Sequence, residues 1–203
     1  MSKIETILLD ADGVLIQPEM WSQYLEEKYG IAQKTTVEFY RGPFVDCLLG
    51  KQDMYDILPS YLTKWGWKKS TEDFVTEWFD YEDRVDSEII TYIQRLRKFG
   101  IACYVATNQE KHRANYMLDR MGFRDQFDGL FASAHLGSRK PELAFFESIM
   151  SKLGIADKKS VLFVDDTLEN VEGAREFGIN TEFYSEFADF KQTLEDKYQI
   201  TAT

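Results

Sequence analysis

Three short runs, residues 4–9 (IETILL), 101–106 (IACYVA) and 161–164 (VLFV), alternate with amphipathic helical patterns, and that alternation leaves few folds open. Each run is apolar on both faces of an extended strand, as a strand buried between two layers of helices must be. Residues 130–132 and 181–184 repeat the pattern more weakly. Ile89, Ile90, Ile93 and Leu96 mark one helix face, closed by Gly100. Tyr116, Met117 and Met121 mark a second, closed by Gly122. Pro141 opens a third, containing Phe145, Phe146, Ile149 and Leu153 and closed by Gly154. Val171, Ala174 and Phe177 mark a fourth, closed by Gly178. Glycine is expected just past a helix end, because it accepts the left-handed conformation there. Phe187, Phe190, Leu194 and Tyr198 suggest a last amphipathic helix. Strand–helix alternation of this kind predicts an α/β domain with a parallel sheet covered on both faces.

Residues 16–85 are of another style, rich in aromatic residues at helical spacing and without a strand pattern. Trp21, Tyr24 and Leu25 fit one helix; Phe44, Leu48 and Leu49 fit another, begun near Pro43. Met54, Ile57, Leu58 and Leu62 fit a third, which Pro59 is expected to interrupt. Phe74, Val75, Trp78 and Phe79 fit a fourth, capped by Ser70 or Thr71. The aromatic stripes read as core. The expected organisation is an α/β core of residues 1–15 and 86–203, with an α-helical bundle of residues 16–85 inserted after the first strand. An insertion at that point sits above the carboxyl ends of the strands, where open α/β sheets bind ligands.

Each strong strand runs directly into polar residues. Asp10-Ala11-Asp12-Gly13 follows the first, Thr107-Asn108 the second, and Asp165-Asp166, then Thr167 and Asn170, the third. Lys140-Pro141 precedes a helix. If the strands are parallel neighbours, these groups meet in one crevice at one sheet edge. Carboxylates so crowded repel one another unless they share a cation. Oxygen-only ligands favour a hard ion, and Mg²⁺ is the default. A carboxylate beside Mg²⁺ can attack phosphorus and form an acyl phosphate. Thr107-Asn108 is expected to lead into a helix whose free N–H groups hold a phosphate oxygen. Taken singly these motifs are bland. Asp10-x-Asp12-Gly13 alone is an acidic turn, Asp165-Asp166 alone a charged helix start, and Lys140 alone a surface lysine.

Together, and in this order, they resemble the haloacid dehalogenase-like superfamily. Its first motif is matched by Asp10–Val14, its second by Thr107, its third by Lys140 and its fourth by Asp165-Asp166; residues 163–178 (FVDDTLENVEGAREFG) are especially typical. The resemblance implies a Rossmann-like doubly wound parallel sheet with a small helical cap. It implies Asp10 as nucleophile and Mg²⁺ ligand, and Asp12 as general acid, then base, with its main-chain carbonyl on the metal. Thr107 and the Asn108 amide would bind the phosphoryl group. Lys140 would neutralise charge on phosphate and on Asp10. Asp166 would ligate the metal directly, with Asp165 a ligand or an acceptor behind it. The implied activity is Mg²⁺-dependent hydrolysis of a small phosphorylated metabolite, with a sugar phosphate mildly favoured. Asp12 argues against dehalogenation, since a departing halide needs no proton. A phosphomutase would share every motif. A receiver domain of a phosphorelay would place its acid pair after the first strand, and a non-catalytic phosphoryl-ligand protein usually lacks one of the acids.

Charge narrows the partners. The 203 residues carry a formal net charge of −11, which disfavours nucleic acid and anionic membrane. An anionic small molecule needs a local positive centre instead, which a metal ion and a lysine supply. No apolar run approaches the roughly 20 residues of a membrane span, and the N-terminal segment does not read as a signal peptide. Cys47 and Cys103 form no CxxC and read as reduced thiols of a cytoplasmic protein. His112 and His135 lack metal-ligand spacing, and Arg41 and Arg139 are expected to be solvated or structural. Nothing in the sequence addresses oligomeric state.

Overall fold

The computed structural model of the chain describes residues 3–17 and 19–201. Five strands, β1 (Thr6–Leu9), β2 (Ala102–Thr107), β3 (Gly129–Ala132), β4 (Val161–Asp165) and β5 (Asn180–Phe183), form one sheet in the order β3-β2-β1-β4-β5. All neighbouring pairs are parallel. The chain winds outward from β1 through β2 to β3, then crosses to β4 and β5 on the other side. The switch point therefore lies between β1 and β4, and a crevice at their carboxyl ends is the expected ligand site.

Helices α6 (Ser87–Lys98), α7 (Lys111–Asp119), α8 (Phe123–Gln126), α9 (Ser133–Leu136), α10 (Leu143–Leu153), α11 (Leu168–Phe177) and α12 (Phe187–Tyr198) belong to the α/β part. Alternate strand residues point to opposite faces. Ile7 and Leu9 of β1 join Ile89, Ile93 and Leu96 of α6, Met117 of α7 and Leu194 of α12 in one apolar cluster. Leu8 joins Phe145, Phe146 and Ile149 of α10 and Ala174 of α11 in another. Burial on both faces explains why the strand runs lack polar alternation.

Residues 21–81 carry five further helices: α1 (Trp21–Tyr29), α2 (Gln33–Arg41), α3 (Phe44–Leu48), α4 (Met54–Trp65) and α5 (Thr71–Tyr81). Their aromatic stripes form a third apolar cluster, with Trp21, Trp65, Trp67 and Trp78 all buried. Ser70 caps α5 in a reciprocal capping box with Asp73. Two expectations need correction. Pro59 does not interrupt α4, which runs unbroken through it. A mid-helix proline costs about 3 kcal/mol, whereas burying the side chains of Met54, Leu58, Leu62 and Trp65 contributes about 1.5–3 kcal/mol each. Helix α2, which the apolar pattern did not announce, buries only Thr36 and Phe39.

The two chain segments that join the helical part to the sheet run side by side. Gln17 N–H donates to Arg84 O and Asp86 N–H to Leu15 O, both at 2.9 Å, and Ile16 bridges Val85 in antiparallel fashion. Helix α7 is the platform beneath the helical part. Its buried Arg113 donates from Nη1 to Phe79 O at 2.9 Å and from Nη2 to Glu82 O at 3.1 Å, at the end of α5. His112 Nε2 lies 2.7 Å from Asp53 Oδ1, and Tyr116 Oη donates to Asp80 at 2.6 Å. His112 is thus a packing contact between the two parts, whereas His135 is exposed. Arg41 is also exposed, at the end of α2. Cys47 and Cys103 are free and buried. Among the described residues, no helix is long and apolar enough to cross a membrane.

Candidate active site

At the carboxyl ends of β1, β2 and β4 a crevice of about 330 Å³ is lined by Asp10, Asp12, Gly13, Thr107, Asn108, Lys140, Asp166, Thr167 and Asn170. Residues scattered over most of the chain meet there because three parallel strands end at one level. Leu9 pairs with Val105 on one side and with Val164 on the other, so the residues that follow them emerge together.

Lys140 is the centre of the charge arrangement. It is only 2% exposed, and its Nζ lies 2.7 Å from Asp10 Oδ1 and 2.7 Å from Asp165 Oδ2. Burial by itself would lower the lysine pKa, but Asp10 and Asp165 together raise it. The ammonium is therefore kept charged. Burial pushes Asp10 up to about 7 against the pull of Lys140, with Asp165 adding to the rise. Asp165 is fully buried and its two oxygens accept four contacts. Lys140 donates at 2.7 Å, the Thr167 main chain at 2.8 Å, and Asn170 Nδ2 at 3.1 Å to each oxygen. Asp166 is exposed at the mouth, and desolvation and the Asp165 charge raise its pKa. One oxygen from each of Asp10, Asp165 and Asp166 lies within 4.8 Å of the others, a spacing one small cation could span.

The lysine loop is held from two sides. Asn108 Nδ2 donates to Lys140 O at 3.0 Å, and the Lys140 N–H donates back to Asn108 Oδ1 at 2.9 Å. Helix α11 presses on the same loop through Gly173, where a Cβ would lie 2.4 Å from Pro141 O. The Asn108 carboxamide is thus committed to the loop, while Thr107, buried at the end of β2, lines the crevice beside it. Thr107-Asn108 leads, through Gln109 and Glu110, into helix α7, but the N–H groups at the start of that helix are not all free. Helix α7 begins at Lys111, and Glu110 caps it, accepting from the N–H groups of His112 and Arg113. A carboxylate already occupies the place of an anion there.

Gly13 turns the chain out of β1 with φ +83°, and a Cβ on it would sit 2.0 Å from Asp166 Oδ2. Gly13→Ala therefore meets both a left-handed backbone and a collision with an acid of the crevice. It is expected to cost at least about 1–2 kcal/mol of stability, read from the denaturant midpoint; an unchanged midpoint would show that this turn can rebuild.

Two neighbours of the crevice carried no usable signal in the sequence. Gln109 Nε2 donates to Asp12 Oδ2. Arg113, buried in α7, pulls the Asp12 pKa down against the rise that desolvation causes, and Lys140 does the same. Asn170 does have a signal, because its offset from Asp165 places it on the first turn of α11. Arg139, beside Lys140, is half-buried and lies outside the crevice lining.

A parallel sheet with a carboxylate-and-lysine crevice at its switch point defines the class of open α/β folds with an acidic phosphoryl-type site, and comparison gives the family. Residues 4–178 match the family description haloacid dehalogenase-like hydrolase. The chain belongs to that family. A sesquiterpene phosphatase of Aspergillus oryzae, astK, is 34% identical over 96 residues, covering 47% of this chain and 48% of that protein. Drimenol cyclase drtB of Aspergillus calidoustus is 30% identical over 114 residues, 55% of this chain but 21% of the cyclase. The chain therefore spans half or less of the length of these curated relatives. A HAD family enzyme of Bacteroides thetaiotaomicron, solved in complex with magnesium and inorganic phosphate, superposes with a TM-score of 0.78 at 20% identity, covering 92% of this chain and 98% of its own. That likeness is one of fold.

Proposed function

We propose that this chain is a Mg²⁺-dependent phosphatase that hydrolyses a small phosphorylated metabolite through an aspartyl-phosphate on Asp10. The observation that carries the reading is the buried Lys140 ammonium shared at 2.7 Å by Asp10 and Asp165, next to two further acids in an open crevice. One carboxylate is thereby held in place as nucleophile while a fixed cation faces the incoming phosphoryl oxygens. The similarity to a phosphatase and the fold shared with a magnesium- and phosphate-bound enzyme support it.

The donor set suits the ion, being all-oxygen and clustered within 4.8 Å. Asp10, Asp166 and the Asp12 main-chain carbonyl would hold it. Asp165 lies in the same cluster, but its oxygens are already occupied by Lys140, Asn170 and Thr167, so we read it as the acceptor that aims Lys140. When bound, Mg²⁺ offsets negative charge on phosphate and on Asp10. Asp10 attacks phosphorus while Asp12 protonates the leaving alkoxide. Asp12 then takes a proton from the water that cleaves the acyl phosphate. The Thr107 hydroxyl and the Asn108 main chain hold the phosphoryl oxygens, with Lys140. Residues 16–85, inserted between β1 and α6, would serve as the cap that selects the substrate.

A proton donor beside the nucleophile favours P–O over carbon–halogen cleavage. Sugar phosphates fit an open polar crevice. A second substrate class, the terpene phosphates, is favoured by the similarity to a sesquiterpene phosphatase.

The test is phosphate release from p-nitrophenyl phosphate and from sugar, nucleoside and terpene monophosphates, with Mg²⁺ or with EDTA. Release that EDTA abolishes and excess Mg²⁺ restores is the expected result. Full activity in EDTA would exclude the metal role. No release from any ester by folded protein would overturn the phosphatase reading in favour of a mutase or a binding protein.

A further inference from the structure

We infer that Gln109 is a positioning residue for Asp12, fixing which carboxyl oxygen of Asp12 faces the leaving group. The inference rests on the reading of Asp12 as general acid. Gln109 Nε2 donates to Asp12 Oδ2, joining residues 97 positions apart in the chain. The glutamine is itself restrained. Its main-chain carbonyl accepts from Ala134 N–H at 3.2 Å and from the hydroxyl of the buried Ser133 at 3.3 Å, at the start of α9. Its two neighbours are pinned as well, Asn108 to the main chain of Lys140 and Glu110 to the first turn of α7.

An amide N–H can only donate. The oxygen it meets must therefore be an acceptor whether Asp12 is ionised or neutral. The carbonyl oxygen of a neutral carboxyl is its stronger acceptor, so this bond favours Oδ2 in that role and the transferable proton on Oδ1. As Asp10 forms its bond to phosphorus, the bond from phosphorus to the ester oxygen breaks and its electron pair stays on that oxygen. The oxygen takes the proton from Oδ1, giving a neutral alcohol and the Asp12 carboxylate. In the second step water gives a proton to Oδ1, its oxygen bonds phosphorus, and the acyl–phosphate bond breaks to restore Asp10 and free phosphate. Asp12 lines the solvent-open crevice, so without Gln109 its carboxyl can rotate, hydrogen-bond to water and present either oxygen. What is lost is preorganisation rather than acidity.

A leaving group that needs its proton feels that loss, and one that does not is spared. Gln109→Ala and Gln109→Met, which keeps the length of the side chain and removes the donor without adding a charge, are to be compared with the parent on an alkyl phosphate and on p-nitrophenyl phosphate, whose nitrophenolate departs unprotonated. Loss of kcat/KM, which reads the steps up to departure of the leaving group and not the hydrolysis of the shared phospho-enzyme, is expected to be about tenfold larger on the alkyl ester for both variants, the scale of one hydrogen bond to a charged group. Asp12→Asn separates the two ideas, since it should show the same dependence on leaving group more steeply. If Asp12→Asn discriminates between the esters while the Gln109 variants lose both equally or neither, Gln109 has no positioning role and the acid assignment stands. If Asp12→Asn lowers both esters alike, the acid assignment fails and the inference fails with it.

Discussion

Asp10→Asn is expected to lower Mg²⁺-dependent phosphate release by at least about 10⁴-fold, the scale seen when a covalent nucleophile is removed. The substitution keeps the shape of the side chain and its ability to accept the Ala11 N–H bond at 2.7 Å. What it removes is the electron pair that attacks phosphorus and the charge opposite Lys140. The same variant reports on the electrostatics of the metal-free fold. Burial holds Asp10 near 7, above its ordinary 3.8. Between those values the folded protein binds this proton more tightly than the unfolded chain, so its contribution to stability falls as pH rises from about 4 to about 7. Asparagine has no proton to release. Metal-free Asp10→Asn should therefore lose less stability than the parent across that window while having lost its activity. Retained phosphatase activity in Asp10→Asn would refute the aspartyl-phosphate, and a pH slope as steep as the parent's would refute the raised pKa.

Lys140→Met should be the most destabilising single change in the crevice, costing about 3–5 kcal/mol, because it leaves the fully buried Asp165 carboxylate without its cation and beside a second buried acid. Lys140 and Asp165 are both essentially inaccessible and Asp10 nearly so. Methionine matches the lysine stem but supplies neither the charge nor the bonds at 2.7 Å. Denaturant unfolding of the metal-free protein reads the cost. The double variant Lys140→Met/Asp165→Asn should recover part of it, since one stranded charge is gone, and the double-mutant cycle isolates the coupling. A loss below about 1 kcal/mol would mean that water reaches the pair and that the lysine is held for catalysis alone.

Much of the fold is legible in the sequence. The strand runs before Asp10, Thr107 and Asp165 all lie in one sheet, because burial on two faces leaves an unmistakable apolar run. Gly100, Gly122, Gly154 and Gly178 all adopt positive φ after helices, because few other residues tolerate that conformation. Helix α2 escaped notice since only Thr36 and Phe39 are buried in it, too few to set a period. Pro59 misled for a different reason. A local rule about lost hydrogen bonds was outweighed by packing against the rest of the helical cluster.

The chemistry divides in the same way. The order of acid, hydroxyl, lysine and acid pair is written in the chain, and parallel strands ending at one level turn that order into proximity. Sequence alone therefore named the residues of the crevice. Only the tertiary structure decided what each of them touches. Asn108 spends its carboxamide on the Lys140 loop, Glu110 occupies the helix N-terminus expected for phosphate, and Asp165 is turned toward Lys140 and Asn170. Gln109 and Arg113 gained their places beside Asp12 only when distant segments met. The physical reason is range. Backbone preference and burial act over a few residues and leave periodic marks, whereas a hydrogen bond or buried ion pair depends on ångström-scale placement of side chains that the chain itself keeps far apart.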